Sequence, residues 1–352
     1  MPSPRDVEPF DIVATYHRLL SEDPDLTMPV AAIESLISGL ANTPSTTVSE
    51  TLDLIQTLTA QLKASIPNSI SLSAGTDLFQ QYLIANLQRP TSTGHGAGSF
   101  DEVRTHLVQN GKLFVERAKA ARETIASFGR HFIRDGNTVL TNGGSRVVGA
   151  LLRSAAETSN NSSSSSRGSI RFRVIYVVSH SSDDAYSSES AENIAALRER
   201  DIPVATIPPT AVAYALDQVT ACFVGAEGVV ENGGIISRMG TYQMGMLAKA
   251  AGKPFYVVSE SHKFVRLYPL GQQDLGIEQH VVDFRSGSEG ATKSVRAHEE
   301  PMADSGELKR EKSWNPQEAV DYTPPGLISG IITESGVLLP SAVSEELIKI
   351  WF

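Results

Sequence analysis

The stretch TACFVGAEGVVENGGIISRMGTYQMGMLAK, residues 220–249, decides the fold class of this chain. It begins with a short apolar run, which predicts a buried strand. The run is followed, in order, by an acid at Glu227, a glycine-rich turn that starts at Asn232, a cation at Arg238 and an apolar helix. Because ligands bind at the carboxyl ends of strands in open α/β sheets, this order predicts a polar pocket beside a parallel sheet.

Around this stretch, from residue 136 onwards, apolar runs of strand length alternate with helical patterns. Strands are predicted at residues 138–141, 172–178, 204–207, 221–224, 255–258 and 280–283. Helices are predicted at residues 146–157, 189–200, 211–216 and 239–251. Strands and helices that alternate with short connections imply a parallel sheet with helices on both faces.

The N-terminal third of the chain predicts helices only. Amphipathic segments lie at residues 10–20, 30–40, 47–64, 77–87 and 99–134, and Ser99 with Glu102 matches a capping box at the start of the last one. The predicted fold class is therefore α/β, with an N-terminal helical domain over residues 1–135 and a Rossmann-like parallel-sheet α/β domain over residues 136–352. Two polar segments, near residues 159–168 and 286–312, are predicted to be mobile loops.

Composition excludes several classes of function. The net charge of −10 argues against general binding of nucleic acid. A single cysteine excludes an intrachain disulfide, and the eight histidines show no spacing typical of metal ligands, so we expect neither a metal site nor a required cofactor. The first thirty residues are acidic and no apolar run is long enough for a membrane span, so we expect a cytosolic chain that does not bind membranes.

A second strand-to-turn junction offers a candidate anion site. The sequence Asn142-Gly143-Gly144-Ser145-Arg146 follows an apolar strand and opens a helix. Backbone N–H groups at a helix N-terminus attract phosphate or carboxylate, and Arg146 adds a positive charge. The alternative is an ordinary turn in which Ser145 caps the helix.

The acid at Glu227 has two possible roles. A carboxylate at the end of a buried strand can transfer protons if its pKa is shifted, or it can accept hydrogen bonds from a ligand or from the protein. Cys222 does not compete for the nucleophile role. Side chains alternate along a strand, so its thiol points away from Glu227 and into the core.

These residues also carry a family resemblance. Residues 225–249, together with KPFYVVSESHKFVRLYPL at residues 253–270 and LLPSAVSEELIKI at residues 338–350, resemble the alpha subunits of eukaryotic translation initiation factor 2B. They resemble more distantly the aldose-ketose isomerases that act on methylthioribose 1-phosphate and ribose 1,5-bisphosphate. The resemblance covers the last two-thirds of the chain well and the first third loosely.

The resemblance implies a pocket without its nucleophile. Gly143 stands where the isomerases carry a catalytic cysteine, and Glu227 stands where they carry an aspartate. Ser237-Arg238 replaces Asn-Lys, and Lys263 matches a lysine on the phosphate side of the isomerase site. The implied ligand is a sugar phosphate or nucleotide, with no catalytic residue. The expected ligand-binding residues are Asn142, Gly143, Gly144, Ser145, Arg146, Glu227, Asn232, Ser237, Arg238 and Lys263.

The function implied by the resemblance is regulatory. Such alpha subunits belong to the guanine-nucleotide exchange complex for translation initiation factor 2, and they help it sense the phosphorylated alpha subunit of that factor. They form homodimers through the α/β domain and contact the beta and delta subunits, and through these gamma and epsilon. The alternative from another class is an active sugar-phosphate isomerase, which Gly143 and Glu227 oppose. A third interpretation is a free sensor of sugar phosphates or nucleotides.

A candidate surface for the phosphorylated partner lies on the long helix. Lys119, Arg122, Arg130 and Arg134 fall beside its apolar face, and a phosphoserine seeks such cations. The alternative is a solvated face with ordinary pairs between residues four apart.

Overall fold

The computed structural model describes most of the chain. The described residues are 10–23, 26–43, 47–66, 68–87, 100–161, 172–178, 185–279, 281–282 and 319–351. Three predicted features lie wholly or partly outside the described residues: Ser99 of the capping box, residues 162–168 of the first loop and all of the second loop. No helix in the described part of the chain is long and apolar enough to span a membrane.

The N-terminal region consists of helices. Their bounds are α1 Ile12–Glu22, α2 Met28–Asn42, α3 Val48–Ser65, α4 Ile70–Leu87 and α5 Phe100–Gly129. Asp11 starts α1, because its carboxylate accepts hydrogen bonds from the N–H groups of Val13 and Ala14 at 2.9 and 3.0 Å. We call these five helices the helical region.

Strands and helices then alternate, as the sequence predicts. The strands are β1 Asn137–Asn142, β2 Phe172–Val177, β3 Val204–Ile207, β4 Ala221–Gly225, β5 Gly228–Val230, β6 Ile235–Arg238, β7 Phe255–Val258, β8 Phe264–Val265, β9 Val320–Thr323, β10 Gly330–Thr333 and β11 Gly336–Leu338. The helices are α6 Arg146–Asn161, α7 Ala185–Arg198, α8 Val212–Ala215, α9 Thr241–Ala250 and α10 Val343–Trp351. A helical region followed by a mostly parallel α/β sheet confirms the predicted fold class.

The larger sheet has seven strands within the described residues, in the order β11-β10-β7-β4-β1-β2-β3. Its strands are parallel except for the antiparallel pair β10–β11. From β1 the chain first builds towards β3 and then, with β4, builds in the opposite direction. The crevice between β1 and β4 is therefore a topological switch point, where α/β folds bind ligands.

A second sheet has no counterpart among the predicted elements. Its described strands run in the order β8-β5-β6-β9. Strands β5 and β6 form an antiparallel hairpin within residues 220–249, for which the sequence predicts a strand, a turn and a helix. These strands are short and buried on both faces, so they lack the alternating pattern that marks a half-exposed strand. Of the predicted strand at residues 280–283, the structure describes residues 281–282, which belong to no strand.

Helix α5 connects the helical region to the larger sheet. Its C-terminal half packs against α6 and β10, while α2 packs against α5 from the side of the helical region. Ile125 lies in one buried cluster with Val258 of β7 and Ile332 of β10. The predicted division of the chain near residue 136 stays a prediction.

Candidate functional site

A cavity of about 110 Å³ lies at the switch point, between the helical region and the carboxyl ends of β1 and β4. The helical region contributes Thr27, Met28, Pro29 and Ser71 to its wall. The α/β domain contributes Asn142, Gly144, Ser145, Arg146, Gly225, Ala226, Glu227, Ser237, Arg238, Glu260 and Lys263. The structure thus brings eight of the ten predicted ligand residues to one cavity, leaving Gly143 and Asn232 outside its lining.

The turn between β1 and α6 shapes one side of the cavity. Gly143 adopts a φ of 68°, in the left-handed region that a side chain disfavours, and so redirects the chain after β1. Gly144, Ser145 and Arg146 consequently reach the wall although Gly143 does not. The Asn142 side chain donates to Thr241 Oγ1 at 3.2 Å, which ties this turn to the start of α9.

The end of β4 packs closely against the side chain of Ser145. A Cβ at Gly225 would lie 2.2 Å from Ser145 Oγ and 2.7 Å from Ser145 Cβ, so a larger residue at this position would displace Ser145. The hydroxyl of Ser237 donates to the Gly225 carbonyl at 2.8 Å from the neighbouring sheet. Ser237 is buried, and its hydroxyl thus holds the strand end in place while its side chain lines the cavity.

Glu227 forms the first of two acid–cation pairs in the cavity. Its Oε1 lies 2.8 Å from Arg238 Nε, and its Oε2 accepts a hydrogen bond from Asn68 Nδ2 at 2.6 Å. The side chain of Glu227 is 16% exposed and that of Arg238 is 33% exposed. Asn68 precedes α4, so this acid joins the α/β domain to the helical region. No local pattern relates Asn68 to Glu227, which lies 159 residues away in sequence.

Glu260 and Lys263 form the second pair. Lys263 ends a short 3-10 helix, Ser261–Lys263, and Glu260 is the residue before that helix. Glu260 Oε2 lies 3.0 Å from Lys263 Nζ. The Glu260 side chain is only 2% exposed. Burial raises the pKa of Glu260, but the ammonium of Lys263, joined by His262 only at acid pH where its ring is protonated, outweighs burial and lowers the pKa to about 2. This acid is therefore ionised and depends on its lysine. Sequence reasoning found Lys263 but missed Glu260.

Arg146 joins the same two parts of the molecule. Its Nη1 donates to the carbonyl oxygen of Leu26 at 2.8 Å, just before α2. Arg146, Arg238 and Lys263 thus place three cations on the cavity wall, where Arg238 pairs with Glu227 and Lys263 pairs with Glu260.

Asn232 has a structural role. Its side chain donates to Pro269 O at 3.0 Å and Tyr322 OH at 2.8 Å, and its Oδ1 accepts from Gly234 N at 2.9 Å. The hairpin of β5 and β6 carries this turn away from the cavity, which explains why the structure separates Asn232 from the other predicted ligand residues.

The four cations predicted on the long helix do not share an exposed surface, and two of them, Arg130 and Arg134, lie beyond the end of α5. Lys119 pairs with Asp23 and Glu34 at 3.5 and 3.1 Å. Arg122 and Arg130 are half-buried with buried Nε atoms, whereas Arg134 is exposed. The reason is that α5 is covered by α2 on one side and by α6 and β10 on the other, so the face beside its apolar stripe is partly interior.

Cys222 confirms its predicted place in the core. It is fully buried, and burial raises the pKa of its thiol to about 12. Among the residues that the structure describes, no group of three or more histidine, cysteine, aspartate or glutamate side chains is arranged to hold a metal ion.

Comparisons with known proteins place the chain among translation factors. The family described as the Initiation factor 2 subunit family matches residues 21–340. Translation initiation factor eIF2B subunit alpha of Dictyostelium discoideum is 35% identical over 97% of this chain and 97% of its own length. Ribose 1,5-bisphosphate isomerase of Archaeoglobus fulgidus is 29% identical over 69% of this chain and 66% of its own length.

A solved structure shares the fold. A chain of the tetrameric eIF2B-beta2-delta2 complex from C. thermophilum superposes with a TM-score of 0.67 at 16% identity. The superposition covers 99% of this chain and 100% of that one, so the helical region and the α/β domain both have counterparts.

Proposed function

This chain belongs to the initiation factor 2 subunit family, and we propose that it is a non-catalytic regulatory subunit of the guanine-nucleotide exchange complex for translation initiation factor 2. Its homology to eIF2B alpha over nearly the whole length supports a regulatory role in translation initiation. The more specific role, helping the complex sense the phosphorylated alpha subunit of its substrate factor, is our proposal.

The observation that carries the non-catalytic assignment is the pairing of Glu227. One carboxylate oxygen lies against Arg238 and the other accepts a hydrogen bond from Asn68. A general base needs a lone pair directed at the proton that it removes, and these two partners fix the orientation of the Glu227 carboxylate, whose remaining lone pairs can accept hydrogen bonds from a ligand. Gly143, at the position of the isomerase cysteine, supplies no nucleophile.

We propose that the cavity still binds a sugar phosphate or nucleotide. Arg146, Arg238 and Lys263 are suited to phosphate oxygens, while Glu227 can accept hydrogen bonds from hydroxyl groups. The ligand would act as an effector, and the proposal requires no cofactor.

The proposed partners are the beta and delta subunits of the exchange complex, with gamma and epsilon joined through them, and a second copy of this chain. Exposed apolar side chains near the sheet edge and α10 support self-association through the α/β domain, namely Val337 at 39%, Leu339 at 61% and Ile348 at 58% exposure. The proposed site of action is the cytosol.

The proposed complex can be tested by affinity purification of the tagged chain from its own cells. We expect four other exchange-complex subunits to co-purify in stoichiometric amounts. A chain that purifies without them would contradict the assignment.

The second candidate function is an active sugar-phosphate isomerase, which the 29% identity to the archaeal isomerase favours. Turnover of ribose 1,5-bisphosphate by the purified chain, abolished in the Glu227→Gln variant, would support this alternative and overturn the non-catalytic assignment.

A further inference from the structure

Helix α9 begins without a capping side chain of its own. The residue before its first turn is Gly240, which has a φ of 97° and no side chain to offer. The first N–H groups of a helix need acceptors from elsewhere, because the helix itself provides none. The structure supplies this acceptor from β9, a strand that is distant in sequence.

Asp321 of β9 provides the missing cap. Its Oδ2 accepts a hydrogen bond from the Gly240 N–H at 2.7 Å, and both of its oxygens lie 3.1 Å from the Tyr242 nitrogen. Asp321 is buried and lies 81 residues from Gly240 in sequence, so no local pattern indicates the contact. A buried carboxylate therefore holds the turn between β6 and α9.

The same turn carries the cavity cation Arg238. This residue is the last of β6, and it pairs with Val320, the residue before Asp321 in β9. Two residues after Arg238, the chain reaches the Gly240 N–H that the Asp321 carboxylate accepts. Strand β9 thus holds the backbone both at Arg238 and immediately beyond it.

The backbone of this turn determines where the Arg238 guanidinium lies. The hydroxyl of Thr241 donates to the Arg238 carbonyl at 2.6 Å, and the Asn142 side chain donates to the same hydroxyl at 3.2 Å. From this turn the guanidinium reaches Glu227 and lines the cavity. A guanidinium binds phosphate through parallel N–H···O bonds, which require a fixed orientation as well as a charge. Movement of the turn would therefore change the geometry that Arg238 offers to a ligand.

We propose that Asp321 is a positioning residue for the cavity, because it caps α9 at the turn after β6 and so orients Arg238 towards the phosphate group of a bound ligand. The inference rests on the proposed ligand-binding function. It extends that function to a residue outside the cavity wall.

The affinity of the full chain for ribose 5-phosphate, measured by calorimetry, tests the proposal. The measurements are made at about pH 8.5, because burial raises the pKa of Asp321 to about 7 and the carboxylate must be ionised. Asp321→Asn keeps the size of the side chain but replaces one acceptor oxygen with an NH2 group, which opposes the backbone N–H groups. We expect this variant to bind about fivefold more weakly than the native protein.

Gln272→Ala is the matched control on the same strand. The Gln272 side chain accepts from the Tyr322 N–H and donates to the Tyr322 carbonyl, both at 2.8 Å. Its loss weakens the hold on β9 without removing a contact to the turn at Gly240. This variant should be less stable than the native protein but should bind within about twofold of it.

Arg238→Lys shows whether Asp321 acts through Arg238. Lysine keeps the charge but replaces the planar guanidinium with a flexible ammonium, which depends less on the orientation of the turn. In this background Asp321→Asn should weaken binding by less than about twofold. Equal weakening in the native and Arg238→Lys backgrounds would show that Asp321 acts through another group, and would overturn the proposal.

The remaining outcomes separate the positioning role from the ligand site. Unchanged affinity in Asp321→Asn, or a loss of affinity in Gln272→Ala that is as large, reduces Asp321 to a structural cap and leaves the ligand site intact. A native protein that does not bind ribose 5-phosphate overturns the ligand site and the positioning role with it. If Asp321→Asn does not fold, Gly240→Ala strains the same turn at its φ of 97° and must show the same dependence on Arg238.

Discussion

The two acid–cation pairs of the cavity differ in how they are solvated and supported. Glu227 and Arg238 are 16% and 33% exposed, and Asn68 supplies a further hydrogen bond to the acid. Glu260 is 2% exposed and relies on Lys263. A buried ion is costly without its partner, whereas water can replace part of an exposed contact. The comparison indicates that the fold depends less on the first pair than on the second, which agrees with the proposed ligand role of the first pair.

The largest effect is expected when each acid loses its cation. Lys263→Met leaves Glu260 buried and uncompensated, and should lower the free energy of unfolding by about 3–5 kcal/mol. Arg238→Met leaves Glu227 with Asn68 and partial exposure, and should cost about 1 kcal/mol. Urea denaturation of both variants measures the difference. Equal losses would show that the two pairs do not differ as described.

Arg238 should matter more for ligand binding than for the stability of the unliganded chain. A ligand at 100 times its dissociation constant stabilises the folded chain by about 2.7 kcal/mol. Arg238→Met should remove most of this stabilisation by ribose 5-phosphate while the unliganded chain stays folded. Thermal-shift titrations of the native protein and the variant measure the loss. An unchanged shift in the variant would remove Arg238 from the ligand site.

Acid should destabilise the second pair through His262. The pKa of His262 is about 4 in the folded chain, compared with about 6.5 when unfolded, so stability is lost as pH falls from 6.5 towards 4. Between pH 7 and pH 5 the loss is about 2 kcal/mol. Burial raises the pKa of Asp321 to about 7, which acts in the opposite direction.

The pH effect can be isolated with His262→Phe, which keeps an aromatic ring and removes the titrating group. The Asp321 contribution cancels because both proteins contain it. The stability of the variant relative to the native protein should rise by about 2 kcal/mol between pH 7 and pH 5. A difference that does not change with pH would contradict the environment assigned to His262.

The smallest effect is expected at Asn68. Asn68→Ala removes one hydrogen bond to a partly exposed carboxylate that keeps Arg238, and should cost about 0.5–1 kcal/mol of stability. Gln80→Ala, which removes a weaker 3.5 Å hydrogen bond within the helical region, is the control and should cost less. A cost at Asn68 no larger than the control would show that this residue does not join the two parts of the molecule.

The sequence could predict one wall of the cavity because its residues are near one another along the chain. Gly143 and Gly144 mark a turn after an apolar strand, and Glu227 follows the neighbouring parallel strand. The opposite wall depends on how the helical region docks, so neither Thr27 nor Asn68 carried a local signal.

Contacts between segments that are distant in sequence also explain the other differences between the predictions and the structure. The parallel strands have the length and composition of buried strands. The hairpin of β5 and β6 is short and buried on both faces, so the sequence does not reveal it and places the turn at Asn232 in the pocket. Helical periodicity showed that Arg122 lies beside the apolar stripe of α5. It could not show that the sheet covers that side of the helix.

The most direct test of the regulatory assignment is the rate of GDP release from translation initiation factor 2, catalysed by the exchange complex with and without this chain. We predict that the chain alone releases no GDP. Added to a complex of the other four subunits, it should increase the inhibition caused by factor 2 that is phosphorylated on its alpha subunit. Inhibition that is equally strong with and without the chain would contradict the account.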